Sequence, residues 1–148
     1  MDPMTAAVAP TVEQVGALLG LRPRPHSVAE LDRVVRAGLP YASMRRVEKH
    51  FGLLLQPQVR RFIGSRSTLE RREVAGRLSR AESERLARLA GLSGLAEFVW
   101  GSPALAKQFL STPHPQLESR TPLEAAESEI GARQVERLLW SIEHGLPA

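Results

Sequence analysis

The chain has no cysteine. That excludes disulfides and thiolate metal centres, and it fits a reducing cytoplasm, where the protein is expected to act. Aromatic residues are scarce, with four Phe, two Trp and one Tyr in 148 residues. The core therefore has to be built mainly from Leu, Val and Ala. No run of about 18 apolar residues occurs, so no transmembrane helix is expected. The first residues lack a basic segment followed by an apolar one, which argues against a secretory leader. No apolar–polar alternation runs for a useful length, which argues against strands. The four histidines, His26, His50, His114 and His144, are scattered and form no closely spaced ligand set with acidic residues. A glycine-rich phosphate loop and a nucleophile elbow are also absent. The expectation is a protein that is not an enzyme and holds no metal or cofactor.

What is present is ordinary in amount and uneven in placement. Hydrophobic residues make up 43% and charged residues 24%, values typical of a globular chain. The length suits one compact domain, or two small ones sharing a core. The net charge of +4 hides a polarity. Residues 20–90 carry 16 Lys+Arg against 7 Asp+Glu, and residues 91–148 carry 4 against 7. Basic charge thus collects in the first half, as neutralising phosphates requires. A merely solvated Arg-rich face gives the same count, so charge alone does not decide.

Residues 58–72 decide more. Val59, Phe62 and Ile63 stand at i, i+3 and i+4 on one helical face. Gly64-Ser65-Arg66 breaks that helix. Ser67 is placed as the N-cap of the next, with Glu70 three residues on as its capping-box partner. Leu69 then faces inward and leaves Arg66, Thr68, Arg71 and Arg72 free. Helix, small-residue turn and short basic helix is the helix-turn-helix pattern, whose second helix enters the major groove.

Helical punctuation continues on both sides. Met1 to Pro10 reads as a loose tail. Thr11 to Gln14 opens a short helix ending at Gly20, followed by a linker with two prolines. Ser27 and Glu30 cap a helix with Val28, Leu31 and Val35 inward, closed by Gly38. Pro40 begins another, with Met44, Val47 and Phe51 inward. Leu53-Leu54-Leu55 reads as a short buried connector. Ser79 and Glu82 cap a long helix reaching Trp100, which Gly91 and Gly94 weaken. Ser102-Pro103 starts a helix burying Leu105, Phe109 and Leu110. Thr121 and Glu124 cap a one- to two-turn helix that Gly131 breaks. The last helix, about 132–144, carries the stripe Val135, Leu138, Leu139 and Ile142, and Gly145 closes it. The fold class is all-α. The boundaries are 1–26 for a tail and accessory helix, 27–78 for the helix-turn-helix bundle and 79–148 for a second helical unit.

The order of these pieces resembles a known family. Gly38-Leu39-Pro40, Gly64 to Arg72, the run Leu78-Ser79-x-x-Glu82-Ser83-x-Arg85-Leu86-x-Arg88-Leu89, Phe98 to Gly101, Thr121-Pro122-Leu123 and Gly131 to Gly145 together look like the Xre/MbcA/ParS antitoxins. The likeness covers about 27–146 and leaves out 1–26. It implies an Xre-like helix-turn-helix followed by a small helical toxin-binding domain. It further implies a RES-domain toxin, encoded by the adjacent gene, that degrades NAD or transfers its ADP-ribose. The antitoxin is expected to occlude the toxin's active site with its C-terminal region, to form a homodimer or higher oligomer, and to repress its own operon. A stand-alone repressor whose second half only dimerises is the alternative.

Two sets of residues follow. Ser65, Arg66, Ser67, Thr68, Arg71 and Arg72 are the DNA-binding candidates, since Arg reads guanine and hydroxyls hold phosphates. Arg45, Arg46 and Lys49 are weighed as backbone contacts or as plain solvated residues. Trp140, Glu143, His144 and Leu146 are the toxin-binding candidates. Trp140 falls off the apolar stripe, as an interface anchor would, although a core-capping role fits equally. Glu143 is placed to meet a toxin arginine. His144 also complements the dipole at its helix end.

Overall fold

Hydroxyl caps set where most helices of this chain begin. Ser27, Ser65, Ser79, Ser102, Thr121 and Ser128 each accept a hydrogen bond from a backbone N–H three residues on. The computed structural model describes residues 12–145. Its helices are α1 (Val12–Leu18), α2 (Val28–Ala37), α3 (Tyr41–Phe51), α4 (Gln56–Ile63), α5 (Arg66–Ala75), α6 (Arg80–Trp100), α7 (Pro103–Leu110), α8 (Pro122–Ala125) and α9 (Glu129–His144). A 3-10 turn, Pro115–Leu117, lies between α7 and α8. No strand forms among the described residues, and the fold is all-α. The capping boxes expected at Ser79/Glu82 and Thr121/Glu124 are both complete.

Helix α6 is the axis. It buries Leu86, Leu89, Ala90, Leu92, Leu95 and Ala96, together with Glu82, Ser83 and Ser93. Those positions span well over half of the cylinder and leave Arg80, Ala81 and Glu84 exposed, which is the pattern of a helix packed against several others. It contacts α1, α2, α3 and α4 of the first half, and α7 and α9 of the second. The buried hydroxyls are used. Ser83 accepts from Leu39 N at 2.7 Å, and Ser43 donates to Leu19 O at 2.6 Å, which ties α1 to α3. One apolar cluster from Leu19 to Leu139 runs through both halves.

The end of α5 is stitched back to the start of α3. Gly76 adopts φ 78°, a left-handed cap. Its carbonyl accepts from Tyr41 N at 3.0 Å, and Leu78 N donates to Leu39 O at 2.9 Å. The recognition helix is therefore anchored by backbone as well as by side chains.

Several expectations are corrected. Leu53 and Leu54 are almost fully exposed, not buried, and Leu55 is half-buried. The tight turn Leu55 N to Gly52 O cannot aim three consecutive side chains at one core. Val28 is exposed because the first turn of α2 overhangs the bundle, while Val35 is buried. Leu105 is also largely exposed. Gly131 does not break a helix. It sits in the first turn of α9, which starts at Glu129, and its N–H donates to the Ser128 hydroxyl at 2.9 Å. Thr11 and the tail before it lie outside the described residues, as does Leu146.

Gly131 is required there by crowding. A Cβ at this position would stand 1.8 Å from the Ala125 carbonyl oxygen. In an open helix Gly→Ala gains up to about 1 kcal/mol. Here we expect Gly131→Ala to destabilise the protein by about 1–3 kcal/mol, the cost of overpacking. Urea titration checks it, and a variant as stable as the parent would refute the close α8–α9 approach.

Candidate functional site

Helices α4 and α5 form the helix-turn-helix. Val59, Phe62 and Ile63 of α4 are buried, as their spacing requires, and Leu69 pins α5 to the same core. The turn is shorter than the sequence suggested. Ser65, not Ser67, is the N-cap of α5. Its hydroxyl accepts from Thr68 N at 3.3 Å and donates to Thr68 Oγ1 at 2.8 Å. Glu70 makes no capping box and instead pairs with Arg66 one turn earlier, at 3.3 Å. The physical reason is the tightness of the turn: Gly64 is the C-cap of α4 and Ser65 already the N-cap of α5, which leaves Arg66 in the first helical turn.

The predicted DNA set divides into two roles. Ser65, Arg66, Ser67 and Arg71 are exposed around the start of α5, and Thr68 is half-buried beside them. Arg66 is 93% exposed. Arg71 donates to Thr68 Oγ1 at 3.3 Å and has no carboxylate partner among the described residues. The start of the helix offers the Arg66 guanidinium and the hydroxyls at a positive dipole end, and Arg71 reaches back toward Thr68 from the next turn.

Arg72 is held differently. Its Nε donates to Glu82 Oε1 at 2.8 Å, with the side chains 31% and 7% exposed. The same Glu82 oxygen accepts from Ser79 N in the α6 capping box. Burial pushes the Glu82 carboxyl up, but the hydrogen bonds from Arg72 and Ser79 outweigh it and hold the group below its usual range. Arg72 thereby clamps the recognition helix to the start of α6.

Other arginines also serve the scaffold. Arg60 reaches the buried Glu48 at 2.9 Å and locks α4 to α3. Arg85 donates to Ile63 O at 2.8 Å, closing the end of α4 from α6. Arg88 lies over the Phe62 ring and donates to Ala126 O and Glu127 O, which joins α4, α6 and the segment before α9. Of the weighed backbone contacts, Arg45 pairs with Glu73 at 3.0 Å, and Arg46 lies against Gly20 and reaches Ala17 O. Lys49 is exposed.

At the far end, Trp140 is half-buried. Its ring packs on Phe98 of α6 at 6.2 Å and stacks on His144 at 5.6 Å. Glu143 and His144 are exposed. Sequence reasoning missed Trp100, treating it only as a helix end. The structure sets it beside Phe109 and Ile142, a grouping drawn from three separate segments. Among the described residues no group of His, Asp or Glu is placed to hold a metal ion.

The Arg72–Glu82 clamp makes a pH-dependent prediction. Glu82→Gln keeps the capping box, since Gln also serves at that position, but loses the ion pair. A carboxylate held below its usual range stabilises the fold above that range, and the contribution is lost as pH falls through the folded value. Glu82→Gln should therefore melt a few degrees below the parent at pH 7. The gap should close on acidification below about 4.5, the group's ordinary value. A gap that persists in acid would show that the ion pair is not its source.

Comparison with known proteins agrees with this layout. Residues 30–91 match the antitoxin Xre-like helix-turn-helix domain, and residues 95–145 match the antitoxin Xre/MbcA/ParS C-terminal toxin-binding domain. An Antitoxin Xre of Pseudomonas putida KT2440 is 38% identical over 64 residues, covering 43% of this chain and 40% of its own length. An Antitoxin Xre of Yersinia enterocolitica serotype O:8 is 38% identical over 85 residues, covering 57% of each. The chain thus spans about half the length of these curated relatives. With both domains matched in order around one shared helix, the chain belongs to the Xre/MbcA/ParS antitoxin family.

Proposed function

We propose that this protein is the antitoxin of a toxin–antitoxin pair. It acts in the cytoplasm, binds a RES-domain toxin encoded beside it, and occludes the site at which that toxin uses NAD. It also represses their shared operon through α5. The observation that carries this reading is the union of two parts on one continuous helix: a recognition helix with Arg66 and Arg71 unburied, and a segment, 95–145, matching a toxin-binding domain.

On the DNA side, Arg66 and Arg71 read or neutralise the operator, with Ser65, Ser67 and Thr68 on phosphates. Arg72 positions the helix. Arg71→Ala should weaken operator binding on the order of 10- to 100-fold and reduce its salt dependence. Fluorescence anisotropy over a salt series measures both. Unchanged affinity and slope would remove Arg71 from the interface.

On the toxin side, the test is co-purification with the product of the neighbouring gene, then an NAD-consumption assay with and without this protein. Suppression of NAD loss within a stable complex is the expected result. Failure to bind would leave a helix-turn-helix repressor whose second half serves assembly. Truncating α9 is a poor test, because Leu138 and Leu139 are buried and their loss would unfold the core. Glu143→Lys leaves the core alone. If Glu143 meets a toxin arginine, this change should weaken inhibition about 10-fold or more.

A further inference from the structure

Beyond α5 and the Trp140 face, the C-terminal half holds an open pocket of about 360 Å³. Trp100 at the end of α6, Leu105 and Phe109 of α7, His114 and Ile142 of α9 line it, with Gln108 and Thr112 at its edge. No Asp, Glu, Lys or Arg contributes to the wall. The Trp100 and Phe109 rings stand 5.7 Å apart, and the His114 ring meets the edge of Phe109 at 6.4 Å. Leu105 is 47% exposed at this apolar surface. Its place is about 27 Å along α6 from the Arg72–Glu82 clamp, at 1.5 Å per residue.

Trp100 adds a second observation. Its indole N–H is buried and has no acceptor, the one such side-chain polar atom among the described residues. Buried donors without partners are costly and rare in folded proteins. The surrounding side chains shield this one from water. Trp100 lines the pocket, so a group entering there comes against its indole.

We propose that this pocket seats one large apolar side chain of the toxin, with an adjacent backbone carbonyl accepting from Trp100 Nε1. This rests on the antitoxin reading and places its central contact within the toxin-binding segment. Every lining residue lies inside 95–145, the segment that matches a toxin-binding domain. A wall without Lys or Arg offers nothing to pair with phosphates and suits an aliphatic or aromatic side chain. The volume is near the lower end of the ~300–1,000 Å³ usual for binding pockets, enough for one anchor and too little for a helix. Exposed Gln108 and Thr112 give the apolar centre a polar edge, the arrangement of an interface hot spot.

The test uses the full-length protein and the toxin from the adjacent gene. Leu105→Glu puts a charge at the mouth, and Gln108→Trp fills it, both from exposed positions that spare the core. Trp100→Phe removes the donor and keeps most of the ring. Inhibition of NAD consumption is titrated for each, with melting temperature and operator affinity measured on the same preparations. We expect the half-inhibiting concentration to rise at least about 30-fold for Leu105→Glu and Gln108→Trp, and about 5-fold for Trp100→Phe. Operator binding should stay at the parent value for all three variants, and melting should stay there for the two mouth variants. Parent-like inhibition by both mouth variants would overturn the proposal while leaving the antitoxin reading intact. A change of oligomer mass with unaltered inhibition would also overturn it, assigning the pocket to contacts between copies. If the parent itself fails to bind the toxin, the antitoxin reading falls and the pocket proposal with it.

Discussion

Everything in this molecule depends on burying most of one 21-residue helix. The buried arc of α6 is wider than one neighbour can cover, and only Arg80, Ala81 and Glu84 near its start stay exposed, so several helices must enclose it. The first half encloses its start and the second half its end. Neither half has a closed core without it, because Leu86, Leu89 and Ala90 belong to the same apolar cluster as Leu138 and Leu139. The polar contacts that fix its start are few and satisfied: Glu82 to Arg72 and Ser79, Ser83 to Leu39, Arg85 to Ile63. The recognition helix inherits its orientation from this same end.

Arginine usage follows from that constraint. A basic first half looks like a uniform phosphate-binding surface when only charge is counted. In the fold the guanidinium groups divide by burial of their partners. Arg60 and Arg72 face carboxylates that are themselves buried, Glu48 and Glu82, and so hold the bundle together. Arg66 faces an exposed Glu70, an i,i+4 pair that solvent weakens, and is easily released to a competing phosphate. Electrostatic steering uses the total, whereas specific contact uses only the second kind.

The helices were legible because capping is local. A Ser or Thr followed three residues later by Glu can satisfy orphan amides within one turn, and Ser79/Glu82 and Thr121/Glu124 do so. Where two local solutions competed, the wrong one was chosen. Ser65 and Ser67 both precede Leu69, and only the tight turn after Ile63 selects Ser65. Burial was less legible. Leu53 and Leu54 are apolar and exposed because a turn offers them no wall, and Gly131 reads as a breaker until Ala125 O is seen against it. The Trp100 pocket gathers residues from α6, α7, a loop and α9, and no window of sequence contains it.

The same axis limits how the proposed functions can influence one another. A ligand shifts a protein only by binding two of its states unequally. Helix α6 runs unbroken from Arg80 to Trp100 through Gly91 and Gly94, with its start held by the Ser79 cap and the Arg72–Glu82 pair and its far end by ring packing. Arg88 further ties α4 to the segment before α9. A toxin seated near Trp100 would lie about 27 Å along α6 from the clamp that holds α5 and touch none of the contacts that orient it. Coupling between toxin and DNA would have to act between molecules, through how many recognition helices one assembly presents and at what spacing. On that reading stoichiometry, rather than a shape change within one chain, is the variable that regulation adjusts.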